Sequence, residues 1–341
     1  MEIYLDESGT FVPAPELRLS VSVIGALVLP TYSRKMLLNK YEKLRDTLPK
    51  DRKGEVKGSL LNERQVSLVC SLLHKNGAIF EAAGIDMADQ SLVDIERHRA
   101  GQGAAMSRHI TDEHTVELRA EIDKLKLVLE HMAPQLYAQS TVASEVICRL
   151  LELIPTYFAQ RWPRDLDSFD WIIDGKGASK VTPAEAWWSQ TVTPMLQSKS
   201  LRRPMIFLEG ADFTFFNAKY EMATPDHLRQ HGFSDDAGVS LNRLMKDNFR
   251  FSSDPEPGLE MVDILTNATR RALNGRLGEE GWKGLPSLMI HRREQYVSLL
   301  TLRDDTPVPN HKSYVKLVGE DFSRGGRSLL TNRLLMEAGQ T

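Results

Sequence analysis

Apolar and polar residues alternate in blocks at the start of the chain. Residues 3–5 (Ile-Tyr-Leu) lead directly into residues 6–9 (Asp-Glu-Ser-Gly), and residues 19–29 form a second apolar block that ends before Pro30. β-Branched, aromatic and aliphatic residues favour strands, and Ser-Gly favours a turn. The pattern predicts two strands that pair as a hairpin. The two carboxylates at the end of the first strand are unusual, because ionised acids are rarely buried unless they are paired or bind a metal.

Helical spacing and capping signals follow the hairpin. Residues 33–47 place apolar side chains on one face, which predicts a helix that Pro49 ends. Asn62 and Gln65 have the spacing of a capping box, which predicts the start of a second helix. Residues 78–87 alternate in polarity and predict a third strand.

The middle of the chain predicts a helical insertion. Residues 88–113 are polar and contain two glycines in a loop-like context, which indicates a loop. A long helix follows, with a heptad-like apolar seam formed by Leu118, Ile122, Leu125, Leu129 and Met132. A second helix is predicted over residues 137–160. We interpret the pair as an antiparallel helical hairpin placed on the core, with the seam packed internally, and a homodimer through this insertion is the alternative.

Two further strands and a late helix complete the predicted elements. Residues 169–174 and residues 204–209 are apolar and predict strands, and residues 259–273 predict an aliphatic-rich helix. Thr182 carries the signals of another helix start. The residues beyond 275 contain several glycines and are expected to be peripheral.

These elements predict one α/β core that carries an inserted helical hairpin. The chain has 341 residues, which is long for one compact core and short for two full-size domains. The expected parts are an N-terminal part of the core, the insertion, a C-terminal part of the core and a peripheral extension, over residues 1–87, 88–165, 166–275 and 276–341.

Composition places the chain among ordinary globular proteins. Hydrophobic residues make up 41% and charged residues 26%. The net charge of −3 provides no global positive field, so any binding of nucleic acid must use local basic patches. Cys70 and Cys148 lie in apolar helical patterns, which indicates buried thiols in a reducing compartment. No signal peptide and no apolar run of about 20 residues is seen, so we expect a cytoplasmic protein without membrane contact.

Acidic residues recur at the ends of predicted elements. Asp6 and Asp174 each end an apolar strand just before a glycine turn, and in a parallel arrangement such strand ends gather at one edge. Glu260 and Asp263 are three residues apart and share one face of the late helix. The alternatives are a turn-forming Asp before Gly, and helix acids that the macrodipole favours. Asp263, however, lies among aliphatic residues, a poor place for a charge without a function.

Two acids at strand ends and one on a helix suit a divalent-metal site for phosphodiester chemistry. Mg²⁺ prefers hard oxygen ligands in octahedral geometry and is held by a few carboxylates together with water and phosphate oxygens. Two such ions about 3.5–4 Å apart activate a water and stabilise the leaving oxygen. The expected cofactor is therefore Mg²⁺ or Mn²⁺.

Four motifs, taken in order, resemble the family named domain of unknown function 3800. The motifs are YLDESGT at the start, EVKGS at 55–59, WIIDGKG at 171–177 and PGLEMVDILTNATRRAL at 257–273. They span most of the chain, and residues 88–165 are the least covered. The resemblance implies a ribonuclease H-like mixed sheet flanked by helices, in which acids on the first strand, the fourth strand and the last helix bind metal.

The resemblance also implies roles for individual residues. Asp6, Asp174 and Asp263 would be the metal ligands, with Glu7 as an additional one. Glu260 stands where the family's Gly-Leu-Gln-x-x-Asp motif usually has Gln. The lysine that follows the family's second strand region corresponds to Lys57, which would contact a phosphate or pair with the acids; a surface lysine is the alternative.

Further basic residues lie next to these motifs. Arg270 and Arg271 follow Asp263 on the same side of the helix and could grip a nucleic-acid backbone beside the metal site. A solvated helix end with favourable cations is the alternative. Lys176, beside Asp174, carries the same two interpretations.

The sequence therefore predicts a Mg²⁺- or Mn²⁺-dependent nuclease that hydrolyses phosphodiester bonds in RNA or DNA. In this hypothesis Asp6, Asp174 and Asp263 hold the metal, and Glu7 or Glu260 completes the shell or orients water. Two alternatives stay open. One is a catalytically inactive ribonuclease H-like module that binds nucleic acid or acts as an adaptor, and the other is a two-carboxylate hydrolase acting, for example, on a glycoside.

Overall fold

A mixed six-stranded sheet flanked by helices forms the core, so the protein is α/β. The computed structural model describes residues 1–14, 19–107, 110–111, 115–175, 196, 205–223, 238–303, 313–332 and 334. The sheet order is β7-β4-β1-β2-β3-β8, and its strands are β1 (Glu2–Ser8), β2 (Val21–Leu29), β3 (Ile79–Asp86), β4 (Asp170–Asp174), β7 (Phe249–Ser252) and β8 (Val297–Leu300). A separate two-stranded ribbon pairs β5 (Glu221–Met222) with β6 (Gly238–Val239).

Helices cover both faces of this sheet. Those in the described part of the chain are α1 (Thr31–Arg45), α2 (Glu63–Lys75), α3 (Leu92–Ser107), α4 (Val116–Glu130), α5 (Pro134–Ala159), α6 (Thr214–Tyr220), α7 (Leu241–Lys246), α8 (Pro257–Leu273), α9 (Glu279–Trp282) and α10 (Ser313–Phe322). Short 3₁₀ turns span Gly58–Leu60, Pro163–Asp167 and Pro286–Leu288. Asn62 caps α2 and forms the predicted capping box with Gln65.

The first strand sits at the centre of the sheet and sets the direction of its neighbours. It pairs antiparallel with β2, as the hairpin pattern predicted, and parallel with β4. The strand β4 pairs parallel with β7 in turn. The carboxyl ends of β1, β4 and β7 therefore meet at one edge, which is where open α/β sheets place their sites.

Alternation along β1 divides the core into two hydrophobic layers. Ile3 and Leu5 face the layer that contains α5, whereas Tyr4 faces the layer that contains α1, α2 and α8. The helix α5 packs against β2 and β3 and supplies much of the first layer. Because side chains alternate along a strand, Asp6 and Ser8 lie on the α8 side of the sheet with Tyr4.

The predicted helical hairpin has a different set of neighbours from the expected one. The helix α4 packs chiefly against α3, and α5 lies on the sheet itself. In the seam, Leu125, Leu129 and Met132 are buried within the single chain, which confirms internal packing for these three residues. A homodimer through this region stays a prediction.

Two expectations about secondary structure are wrong. Most of the polar stretch over residues 88–113 forms α3 rather than a loop, because tertiary packing against α4 and α5 outweighs the cost of its two glycines. Residues 205–209 form no strand, and Phe207 instead packs on the rings of Phe213 and Phe216. The predicted helix that starts at Thr182 lies outside the described residues.

The region after residue 275 is not peripheral throughout. The strand β8 pairs parallel with β3 and forms an edge of the sheet. Trp282 of α9 stacks on Phe322 of α10, and both rings are buried in the layer that contains α8. The division into four parts otherwise stays a prediction. Among the helices of the described residues, none has an apolar stretch long enough to cross a bilayer.

Candidate metal centre

Two strand ends bring Asp6 and Asp174 to the same place. The parallel register of β1 and β4 pairs Leu5 with Ile173, so Asp6 and Asp174 are the next residues on adjacent strands. Both side chains line one cavity of about 290 Å³. The prediction that these two acids share one edge of the sheet is confirmed.

The helix α8 crosses the same end of β1 and contributes the third aspartate. Gly258 in its first turn lies against the ring of Tyr4, and Asn267 and Arg270 near its other end both donate hydrogen bonds to Ser8 Oγ, at 3.3 and 2.8 Å. Asp263 lies between these two contacts and faces Asp6. The helix is therefore fixed to β1 on both sides of the acid.

The cavity between these elements is strongly acidic. Its lining consists of Asp6, Glu7, Glu55, Lys57, Asp174, Ser253, Asp254, Pro255, Glu256, Leu259, Glu260 and Asp263. All five acids predicted from the sequence are among these residues, and Lys57 is the single basic residue among the described residues of the lining. Such a surface favours cations over anions unless a bound cation reverses its charge.

Burial and mutual repulsion raise the pKa of the three aspartates and so disfavour their ionised forms. Burial raises the pKa of Asp6 well above its usual value, and the negative charges of Asp263, Glu7 and Asp174 raise it further. Asp174 is exposed at the mouth of the cavity, and partial desolvation together with the charge of Glu7 raises its pKa. Asp263 also has a raised pKa, with burial as the main cause.

The carboxyl groups of Asp6 and Asp263 lie close enough to interact directly. The Oδ2 atom of Asp263 also accepts a hydrogen bond of 2.7 Å from the backbone N–H of Gly58. Asp263 is thus held both by the first strand and by the segment that precedes α2.

Glu260 differs from the three aspartates, because both of its carboxylate oxygens are already bound. Arg45 donates to both oxygens, at 2.6 Å each, the hydroxyl of Tyr41 donates to Oε2 at 3.2 Å, and the N–H of Val56 donates to Oε1 at 3.1 Å. The side chain is only 5% exposed. Glu260 borders the cavity, but its lone pairs point into this network.

The predicted substrate-binding residues have different positions. Lys57 borders the cavity and pairs with Glu55 at 2.8 Å between Nζ and Oε2. Arg271 donates to the backbone carbonyls of Gly58 and Leu61, at 3.0 and 2.8 Å, and so holds a loop. Lys176 lies outside the described residues.

The residues that support the acids were not among those predicted from the sequence. Arg45 on α1 and the backbone N–H of Gly58 contact Glu260 and Asp263 across more than 200 positions of sequence, and no local pattern marks such contacts. The glycine in EVKGS was the available signal. A Cβ at Gly58 would lie 2.7 Å from Cβ of Asn267 and 2.9 Å from the carbonyl oxygen of Asp263, so only glycine allows this close approach to α8.

No protein-family model, no curated protein and no solved structure matches the chain. The resemblance to the domain of unknown function 3800 family stays a prediction. Among the described residues, no group of three or more His, Cys, Asp and Glu side chains has the spacing of a formed metal site.

Proposed function

We propose that the protein is a divalent-metal-dependent nuclease that hydrolyses phosphodiester bonds at the acidic cavity. The observation that carries this proposal is that Asp6, Asp174 and Asp263 come from three separate elements and line the same cavity. Their order along the chain, on the first strand, on the fourth strand and on a late helix, is the order that the family resemblance implies. The mixed sheet flanked by helices is compatible with a ribonuclease H-like core.

The donor set suits a hard divalent cation. All the candidate ligands are carboxylate oxygens, the type that Mg²⁺ and Mn²⁺ prefer. Repulsion among the acids, which helps to raise the pKa of Asp6 and of Asp174, is a charge imbalance that a cation would relieve. Bound here, Mg²⁺ or Mn²⁺ would supply a Lewis acid for the phosphate and lower the pKa of a water.

The residues of the chain would then bind the cation, accept the proton of the attacking water and bind the substrate phosphate. Asp6, Asp174 and Asp263 would hold the cation, and Glu7, which borders the same cavity, would accept a proton from the attacking water. The Lys57 ammonium would contact a phosphate oxygen of the substrate. Nucleic acid is the expected substrate class, and Lys57 lines the same cavity as the acids.

Cleavage assays provide the test. RNA, DNA and hybrid substrates are incubated with Mg²⁺ or Mn²⁺, and the wild type is compared with Asp6→Asn and Asp174→Asn. We expect each variant to lose activity by at least 100-fold. The matched control is Asp86→Asn, which changes a buried aspartate at the end of β3 that is not part of the cavity lining.

Three other outcomes would contradict this function. Equal activity in the wild type and in both variants would show that the cavity is not the active site. Binding of nucleic acid that needs no metal, depends strongly on salt and gives no cleavage would favour the inactive binding module. Metal-independent hydrolysis of a glycoside would favour a two-carboxylate hydrolase.

A further inference from the structure

Two acids on one face of α8 bind the backbone of the segment over residues 55–58. Glu260 accepts the N–H of Val56 at 3.1 Å, and Asp263 accepts the N–H of Gly58 at 2.7 Å. Residues three apart on a helix have Cβ atoms about 5–6 Å apart, and alternate residues of an extended chain are about 6–7 Å apart. The two spacings match well enough for the helix to bind alternate N–H groups of the segment.

Arg45 completes this arrangement from the other side. It donates through Nε and Nη2 to Glu260, and Nη2 also donates to the carbonyl of Gly54 at 2.8 Å. Glu260 therefore accepts four hydrogen bonds, the full capacity of a carboxylate. A carboxylate saturated in this way has no lone pair left for a metal or a water.

Lys57 is the residue between the two bound N–H groups. Its backbone is extended, with φ −113° and ψ 134°, and its side chain borders the cavity. Arg271 extends the attachment by holding the carbonyls of Gly58 and Leu61. The segment is thus fixed through its backbone, and the Lys57 side chain stays at the cavity, where it pairs with Glu55.

We propose that Glu260 is a positioning residue: it binds neither metal nor water, and it holds the 55–58 segment so that Lys57 and the N–H of Gly58 stay at the cavity. Its effect on hydrolysis rests on the proposed nuclease function, whereas its effect on the segment does not. Loss of the Glu260 carboxylate would release Val56, then Gly58, and with them Lys57.

Hydrogen exchange tests the positioning role without any assay of activity. Exchange of the Val56 and Gly58 N–H groups is measured in the wild type, in Glu260→Gln and in Glu260→Ala. We expect Glu260→Ala to speed exchange at both positions by at least tenfold. Glu260→Gln keeps an oxygen that can accept from Val56, so it should restore part of the protection. Unchanged exchange at Gly58 in Glu260→Ala would overturn the proposal.

Glu256→Gln is the matched control. Glu256 precedes the first residue of the same helix, borders the same cavity and is also bound by an arginine, Arg250, but it makes none of the contacts to the 55–58 segment. Its exchange pattern at Val56 and Gly58 should equal that of the wild type. If Glu260→Ala does not fold, Arg45→Gln removes the same support from the other partner and should speed exchange at the same two positions.

A double-mutant cycle with Lys57→Ala separates this proposal from the proposed function. If Glu260 acts through Lys57, the loss in kcat/KM from Glu260→Gln should shrink when Lys57 is already absent. Additive losses would show that Glu260 affects hydrolysis by another route. If no hydrolysis is found in any variant, the nuclease function fails, and the exchange rates alone still decide whether Glu260 positions the segment.

Discussion

The ring of Tyr4 lies directly against the backbone of Gly258, and a Cβ atom at position 258 would fall 2.2 Å from that ring. Tyr4 is two residues before Asp6 on β1, and Gly258 is in the first turn of α8, five residues before Asp263. No side chain fits between the strand and the helix at this point. The contact therefore sets the distance between the elements that carry two of the three aspartates.

Gly258→Ala is expected to destabilise the protein by about 1–3 kcal/mol, because the added methyl group overpacks this contact. Urea unfolding gives the measurement. Gly101→Ala is the matched control, since it lies in α3 with nothing within 4 Å of the added Cβ. The control should gain about 0.5–1 kcal/mol from helix propensity. Equal stability of Gly258→Ala and the wild type would mean that α8 is not held by this contact.

Asp6→Asn is expected to stabilise the metal-free protein at neutral pH by about 1–2 kcal/mol. Because the pKa of Asp6 is higher in the folded chain than in the unfolded chain, stability falls as the pH rises through that window. Asparagine removes this penalty, so the gain should be present near pH 7 and should vanish below the unfolded pKa of about 4. Thermal unfolding at a series of pH values measures it.

The Asp6→Asn variant also tests whether the site binds metal. Added Mg²⁺ should raise the Tm of the wild type and leave that of Asp6→Asn nearly unchanged, because only the wild type keeps the Asp6 carboxylate that would bind the metal. A gain in stability that is the same at every pH would contradict the assigned cause. So would a similar response to Mg²⁺ in both proteins.

Glu81→Gln is expected to cost about 3–5 kcal/mol, because it leaves two buried arginines without their common partner. Glu81 lies in β3 and binds Arg149 at 2.9 Å as well as Arg292, and all three side chains are at most 8% exposed. Chemical denaturation provides the value. Asp46→Asn removes an ion pair with Lys50 in which the aspartate is 79% exposed, and it should cost less than about 1 kcal/mol. Similar losses of stability in the two variants would show that the buried ion pairs of Glu81 contribute no more than the exposed pair of Asp46 and Lys50.

Cys70 is expected to stay unreactive until the protein unfolds. Its side chain is fully buried in α2, and burial raises the pKa of the thiol to about 12, so almost no thiolate forms at pH 8. A Cys148→Ser variant leaves Cys70 as the only thiol. Reaction with a thiol reagent should then follow the unfolded fraction across a urea series. Fast modification of the native variant would contradict the burial.

The strand-end acids were predictable, because their position depends on local pattern and one general rule. Asp6 and Asp174 each follow an apolar run and precede a glycine, and parallel strands bring such ends together. Asp263 could be identified from its aliphatic neighbours. In each case the information lies within a few residues of the acid.

The role of Glu260 could not be derived in the same way. An acid in the first turn of a helix has the same local pattern whether it binds a metal, favours the helix dipole or pairs with a distant arginine. Arg45 lies 215 residues away in sequence, and only the folded chain brings the two together. The strand β8 was missed for a similar reason, since a short run such as Val-Ser-Leu-Leu becomes a strand only when an open sheet edge is next to it.

The three aspartates stand at positions 6, 174 and 263, so their meeting requires contacts across most of the chain. Such long-range contacts form late in folding, because the entropic cost of closing the long loops between them must be overcome before any of them stabilises the fold. During synthesis, a ribosome-bound polypeptide that has not yet released α8 carries only part of the acid set. Any chemistry that depends on the complete set therefore requires that α8 has been synthesised and has packed against β1.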